Sequence, residues 1–262
     1  MVPPGGNPPQ PPSHRGRKWF LVIVLGLMVV IGGFVALSYG SHADQAGVKV
    51  IRIEGKIDTS DVSDGSTAGS EVVGRQLRDA ADNPMVEAIV LRVNSPGGTP
   101  SGAQEIIRDL DYAKAKKPVV VSMGDMATSA AYYVSSHADK IYANPDTFTA
   151  GIGVIWEFAD ISRWNDNEGY NVTILKSGTR KDMGNPSRHL STEEQAYAQS
   201  IVDDAFAGFI ADVTAHRTIA RSDIEDGRVI RGADAIKLNI VDELGNLNDA
   251  IDGAKELARN RS

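Results

Sequence analysis

From Val48 onward, short runs of apolar, often β-branched residues alternate with stretches whose apolar residues recur every three to four positions. No other feature constrains the fold as strongly. An apolar run without a polar face suits a strand buried on both sides, and a one-sided apolar stripe suits the helix that covers it. Taken in turn they imply an α/β fold with a mainly parallel, buried sheet. Strands are expected at 48–53, 86–94, 119–123, 140–143, 149–154 and 171–176. Helices are expected at 70–82, with Val73, Leu77 and Ala80 on one face, and at 101–116, 127–137, 158–168 and 247–259. Another opens at Ser191 and runs towards Ala220. Asn83-Pro84 stops the first helix, and the pairs Ser101/Gln104 and Ser191/Glu194 have the spacing of capping boxes.

The first forty residues do not share this pattern. Residues 1–18 hold six of the twelve prolines and three glycines without apolar periodicity, and are expected to form a disordered tail. Residues 19–39 carry no charge, and as a helix they would cover roughly 30 Å, the thickness of a hydrocarbon core. Trp19 and Tyr39 bracket the run where aromatic rings favour the membrane interface. A cleaved signal peptide would have a shorter apolar stretch, so a retained transmembrane helix is the expectation. Arg15, Arg17 and Lys18 precede the span and the first charge after it is Asp44, which puts the N-terminus in the cytoplasm and the domain outside. A linker at 40–47 leads to one domain at 48–262.

With a formal net charge of −7, and three basic residues but no acidic one before position 41, the body is acidic. It lacks the basic patch that nucleic-acid binding requires. The chain has no cysteine, which excludes disulfides, thiolate metal sites and a cysteine nucleophile. Neither a glycine-rich dinucleotide fingerprint nor a P-loop follows any strand, and His14, His42, His137, His189 and His216 lack metal-motif spacing. No cofactor and no metal is expected.

Two turns carry candidate chemistry. Asn94-Ser95-Pro96-Gly97-Gly98 ends a strand just before a helix, where glycines let backbone N–H groups approach a ligand; taken alone, a simple tight turn is the plainer reading. Gly124 to Tyr133 also joins a strand to a helix, and places Ser129 where a helix N-terminus favours an attacking alkoxide; a helix cap is the plain alternative. His137, eight residues on, is about 12 Å away along a helix and out of reach of Ser129. A desolvated lysine can accept the serine proton instead, and the loop at 176–186 offers Lys176 and Lys181, between which spacing does not choose.

In order, these segments resemble the signal peptide peptidase A family of serine–lysine peptidases, in its short form, within the ClpP/crotonase-like fold. The matching stretches are Leu91 to Gly98 with Glu105-Ile106, Met126 to Ser129, Tyr132-Tyr133, Thr147-Phe148-Thr149 and Ile152 to Ile155. Lys176-Ser177-Gly178 with Lys181-Asp182, Gly227-Arg228-Val229 and Val241 to Gly245 complete the series. The resemblance implies repeated β-β-α units, Ser129 as nucleophile, Lys181 as general base, and Gly98 and Ala130 N–H groups as the oxyanion hole. It further implies a substrate-binding wall at Gly97 and Ala131 and substrates with small or apolar residues, such as remnant signal peptides. Homo-oligomeric rings or domes, in which serine and lysine can come from neighbouring protomers, also follow from it. Ala130-Ala131 stands where the family usually has Gly-Gly, and Ala150-Gly151 where it commonly has Gly-Ser. These departures support an alternative, a weakly active or inactive membrane-tethered peptide-binding scaffold. A crotonase-like acyl-CoA enzyme shares the oxyanion-hole logic but leaves the anchor unexplained. Tyr132 and Tyr133 are expected in helix packing, Trp156 and Trp164 in the core, His189 at the surface, and Asp182 as a solvated loop charge.

Overall fold

The computed structural model describes residues 47–261. The expected tail and transmembrane helix at 1–39 lie outside these residues. Among the described residues no helix is long and apolar enough to cross a membrane.

Four parallel strands form the body of the sheet in chain order: β1 (Val48–Glu54), β4 (Ala88–Ser95), β5 (Val119–Thr128) and β6 (Lys140–Ala143). Each is joined to the next through a helix: α1 (Ser70–Asp82), α2 (Pro100–Lys114) and α3 (Ala130–Ser136). The central strands are apolar on both faces because both faces are covered. Ile89, Leu91, Val93, Val121 and Met123 share one core with Leu77 of α1 and Leu110 of α2. Val48, Ala88, Val90 and Val120 pack instead with Ala250, Ile251 and Ala254 of the C-terminal helix at Leu247–Arg261. Burying one Leu or Ile this completely contributes about 1.5–3 kcal/mol.

The small strands were less visible in the sequence. β2 (Lys56–Asp58) and β3 (Thr67–Gly69) form a two-stranded sheet, and two short strands at Val229–Arg231 and Glu243–Leu244 join the main sheet. Three residues carry too little periodicity to announce a strand.

Several boundaries move. Thr99, not Ser101, caps α2: its Oγ1 accepts the Gly102 N–H at 3.2 Å, because Pro100 takes the first helical position. Ala127 and Thr128 belong to β5, which bends and changes partner, pairing first with β6 and then with β7 (Phe148–Ala150). Positive φ at Ala150 and Gly151 ends β7 four residues early. The expected helix at 158–168 forms only over Ser162–Glu168. The expected strand at 171–176 has no partner strand and stays irregular, leaving Val172 and Leu175 exposed. Ser191 and Glu194 do form a capping box, opening a 25-residue helix, Thr192–His216, which stops at Arg217 rather than Ala220.

Candidate active site

The two motif turns are tied side by side at the C-terminal ends of β4 and β5. Asn94 Oδ1 accepts the N–H groups of Asp125 (3.0 Å) and Met126 (3.2 Å), bridging the register shift between the strands. Thr128 Oγ1 donates to the Pro96 carbonyl at 3.0 Å. Gly97, at φ +98°, lies directly under the serine: a Cβ there would sit 2.8 Å from Ser129 Cβ and 2.9 Å from Ala130 N. No larger residue fits.

Ser129 itself has φ 55° and ψ −124°, a conformation that L residues rarely adopt, at the junction between β5 and α3. Such strain persists only where the surroundings over-determine it, and a sharp strand-to-helix turn of this kind lifts a serine hydroxyl clear of the sheet. Here the surroundings are the Ser129 N–H bond to Ala150 O (2.8 Å) and the Tyr133 N–H bond to Ser129 O (2.9 Å).

Gly98 is clamped from the other side by β2. Ile57 N donates to Gly97 O and Thr99 N to Ile57 O, both at 2.9 Å. In such a parallel bridge the facing residue turns its own N–H away from the partner strand. Neither the Gly98 N–H nor the Ala130 N–H, first in its helix, donates a hydrogen bond among the described residues.

Gly98, Ser129, Ala130, Tyr133 and Phe209 line a cavity of about 510 Å³, and Ser129 also borders a second one with Gly151, Val154 and Phe206. The serine thus stands between two halves of a cleft that has both apolar and acidic side chains in its walls. Gly97 is buried beneath Ser129, and Ala131 is fully buried in the core; neither lines these cavities, so the cavity wall falls to Gly98 and Ala130 instead. Helix geometry explains the shift, since Ala131 projects to the side of α3 facing the sheet.

Lys181 is exposed, makes no side-chain hydrogen bond or ion pair among the described residues, and lines neither cavity. Lys176 is committed elsewhere: its Nζ donates to Asp182 Oδ1 (2.5 Å) and Thr179 O (3.0 Å). Asp182 is not a solvated charge. Its side chain is 8 % exposed and takes a bidentate pair from Arg188, which holds Glu194 in the same way. The Arg188 bonds, then Lys176, hold the Asp182 carboxyl well below the usual range; Arg188, then the Ser191 N–H, holds Glu194 down to about 2.

The aromatic expectations divide. Tyr132 is fully buried, its hydroxyl donating to Ile240 O at 3.1 Å. Tyr133 packs on Phe209 but also lines the cavity. Trp156 and Trp164 are exposed and paired with Phe158 and Tyr170, because the segment carrying them leaves the body of the fold. His189 is exposed as expected. The cluster that sequence reading missed is Tyr133, His137, Asp212 and His216; its local signals are the four-residue spacings of Tyr133 with His137 and of Asp212 with His216.

The sequence profile of Peptidase family S49 matches residues 111–261. The chain belongs to peptidase family S49. The serine-peptidase class expected from its motifs is thereby borne out. Among S49 relatives, a Methanocaldococcus jannaschii protein named as a protease, MJ0651, is 34% identical over 185 residues, covering 70% of this chain and 60% of its own. Protease 4 of Haemophilus influenzae is 34% identical over 222 residues, 82% of this chain and 35% of that one. An Enterococcus faecium protein bearing the name signal peptide peptidase SppA is 34% identical over 187 residues, 69% and 54% respectively. The chain therefore spans 60% or less of these three curated relatives. A solved structure, a mutant of the 1510-N membrane-bound stomatin-specific protease, shares the fold with a TM-score of 0.53 at 15% identity, covering 80% of this chain and 85% of that one.

Proposed function

We propose that this S49 chain is a membrane-tethered endopeptidase with a Ser129/Lys181 dyad, cutting small or apolar peptides such as remnant signal peptides on the outer face of a cell membrane. The observation that carries the reading is the strained Ser129, raised between two adjoining cavities beside two unused backbone N–H groups. In this reading Ser129 Oγ attacks the scissile carbonyl carbon while Lys181 Nζ takes its proton. The Gly98 and Ala130 N–H groups hold the resulting oxyanion. Collapse of the intermediate expels the amine, which receives the proton from Lys181, and water then hydrolyses the ester by the same route.

Since Lys181 lines neither cavity bordering Ser129 in its own chain, the lysine is supplied by a neighbouring copy in a homo-oligomer. Support comes from the exposed apolar residues between the two positions, with Ile155 90% and Leu175 94% exposed. Residues of this kind gain by burial against a second copy. Mixing inactive Ser129→Ala and Lys181→Ala chains tests this. Random assembly in a closed ring with one serine and one lysine per interface restores about a quarter of wild-type activity. Undiminished cleavage by Lys181→Ala alone would remove the lysine from the mechanism.

The unpaired lysine and the Ala130 methyl at the cavity wall also favour a second reading, a peptide-binding scaffold that does not cut. A fluorophosphonate probe separates the two. Labelling at Ser129 belongs to the peptidase, and an unlabelled but peptide-binding protein to the scaffold.

A further inference from the structure

The geometry points to a divalent transition-metal site of the zinc class at His137, Asp212 and His216, clamping the helix that begins behind Ser129 to the long helix at Thr192–His216. The ligand atoms of the three side chains all lie within 4.8 Å of one another. His137 Nε2 is 3.3 Å from Asp212 Oδ2, and His216 Nδ1 is 3.3 Å from Asp212 Oδ1. Bonds of 2.0–2.1 Å to a tetrahedral ion give ligand–ligand edges of about 3.3–3.4 Å, which the separation of His137 Nε2 from Asp212 Oδ2 already matches. Two imidazoles with one carboxylate form a donor set that suits zinc and its neighbours.

A second observation is independent of that spacing. The His137 side chain is 3% exposed, and its Nε2 has no hydrogen-bond partner although it faces the Asp212 carboxylate. Buried polar atoms are nearly always satisfied, and one left open beside a carboxylate calls for a cation between them. The other face of the ring is arranged for it. His137 Nδ1 stands 3.4 Å from Asp111 Oδ1, and the tautomer with its N–H on that side leaves the Nε2 lone pair for the metal. Tyr133 Oη donates to Asp212 Oδ2 at 2.5 Å and orients the carboxylate. His216 Nδ1 lies 3.0 Å from the Asp212 carbonyl, to which it can only donate, so the side chain, one-third exposed, turns to offer a ring lone pair as the ion binds. Tyr133 and Asp212 both line the cavity at Ser129, which leaves the fourth coordination position to water or to a carboxylate or carbonyl in the cleft. The site sets the spacing of the cavity walls, and its existence does not depend on the peptidase reading.

The test uses the purified full chain without a polyhistidine tag, stripped with EDTA and titrated with Co²⁺. Expected are one Co²⁺ per chain with the strong visible absorption of four-coordinate cobalt, its displacement by Zn²⁺, and a thermal midpoint raised by Zn²⁺. His216→Ala, which leaves the buried ring in place, and Asp212→Asn should each weaken binding by more than the roughly 10–100-fold that loss of an outer-shell partner costs. The midpoint shift should disappear in both. No saturable cobalt spectrum in the wild type overturns the site. Binding unchanged in both variants overturns it too, because the ion would then sit on other histidines such as His14 or His42.

Discussion

Ser129 combines two demands that conflict elsewhere in the chain: an L residue at φ 55° and a position at the mouth of a cavity. Strain of this kind costs about 1–2 kcal/mol in a residue bearing a Cβ. Ser129→Gly is therefore expected to raise stability by about that amount while abolishing probe labelling, since glycine occupies positive φ without penalty. Urea unfolding of the two proteins checks it, and a less stable glycine variant would remove strain from the account. Gly97 shows the complementary constraint. Gly97→Ala would force a methyl to 2.8 Å from Ser129 Cβ at φ +98°, so stability should fall by about 1–3 kcal/mol. Displacing the serine by a fraction of an ångström should lower cleavage about a hundredfold. Retained activity would mean that the turn yields more readily than its hydrogen bonds suggest.

Between the short helix at Ser162–Glu168 and the long helix at Thr192–His216, the chain has neither strand partner nor apolar core. Charge takes their place. Arg188 bridges Asp182 and Glu194, and Lys176 closes the group, holding the turn that bears Lys181. Glu194 is held below its ordinary value of 4.5, to about 2, by Arg188 first and the Ser191 N–H second. A carboxylate with a depressed folded value contributes its full stability above its unfolded value and loses it as pH falls through the folded one. The loop should therefore stay ordered above about pH 4.5 and loosen progressively towards pH 2. In Arg188→Ala that part of the acid sensitivity should disappear and the loop should be loose already at neutral pH. Limited proteolysis between residues 176 and 190 across this range is the measurement, and equal protection in both proteins would contradict it. The motif turns rely instead on backbone bonds and on Asn94, whose side chain acts as a strut between them.

In the proposed assembly, the exposed apolar segment is the part that a single chain leaves unfinished. Leu175→Glu should dissociate the oligomer and abolish cleavage while leaving the monomer's unfolding midpoint within a few degrees of wild type, read by sedimentation and by thermal unfolding. A cleaving monomer would return Lys181 to its own chain. The parallel sheet, its covering helices, the Ser191 cap and the two motif turns were legible in the sequence, because period, cap chemistry and Gly/Pro punctuation act over a few neighbouring residues. The course of residues 151–191 was not, since apolar residues such as Val172 and Leu175 imitate a strand locally and only the absence of a partner shows otherwise. His137 and His216 meet only because a short helix packs on a long one, and Asp182 is paired only because its loop folds back to Arg188 and Glu194. What the chain determined by itself was therefore the identity of Ser129 and the scaffold that raises it. Which charges are paired, and which lysine remains unpaired, depended on contacts between distant segments, whose free energy no local pattern encodes.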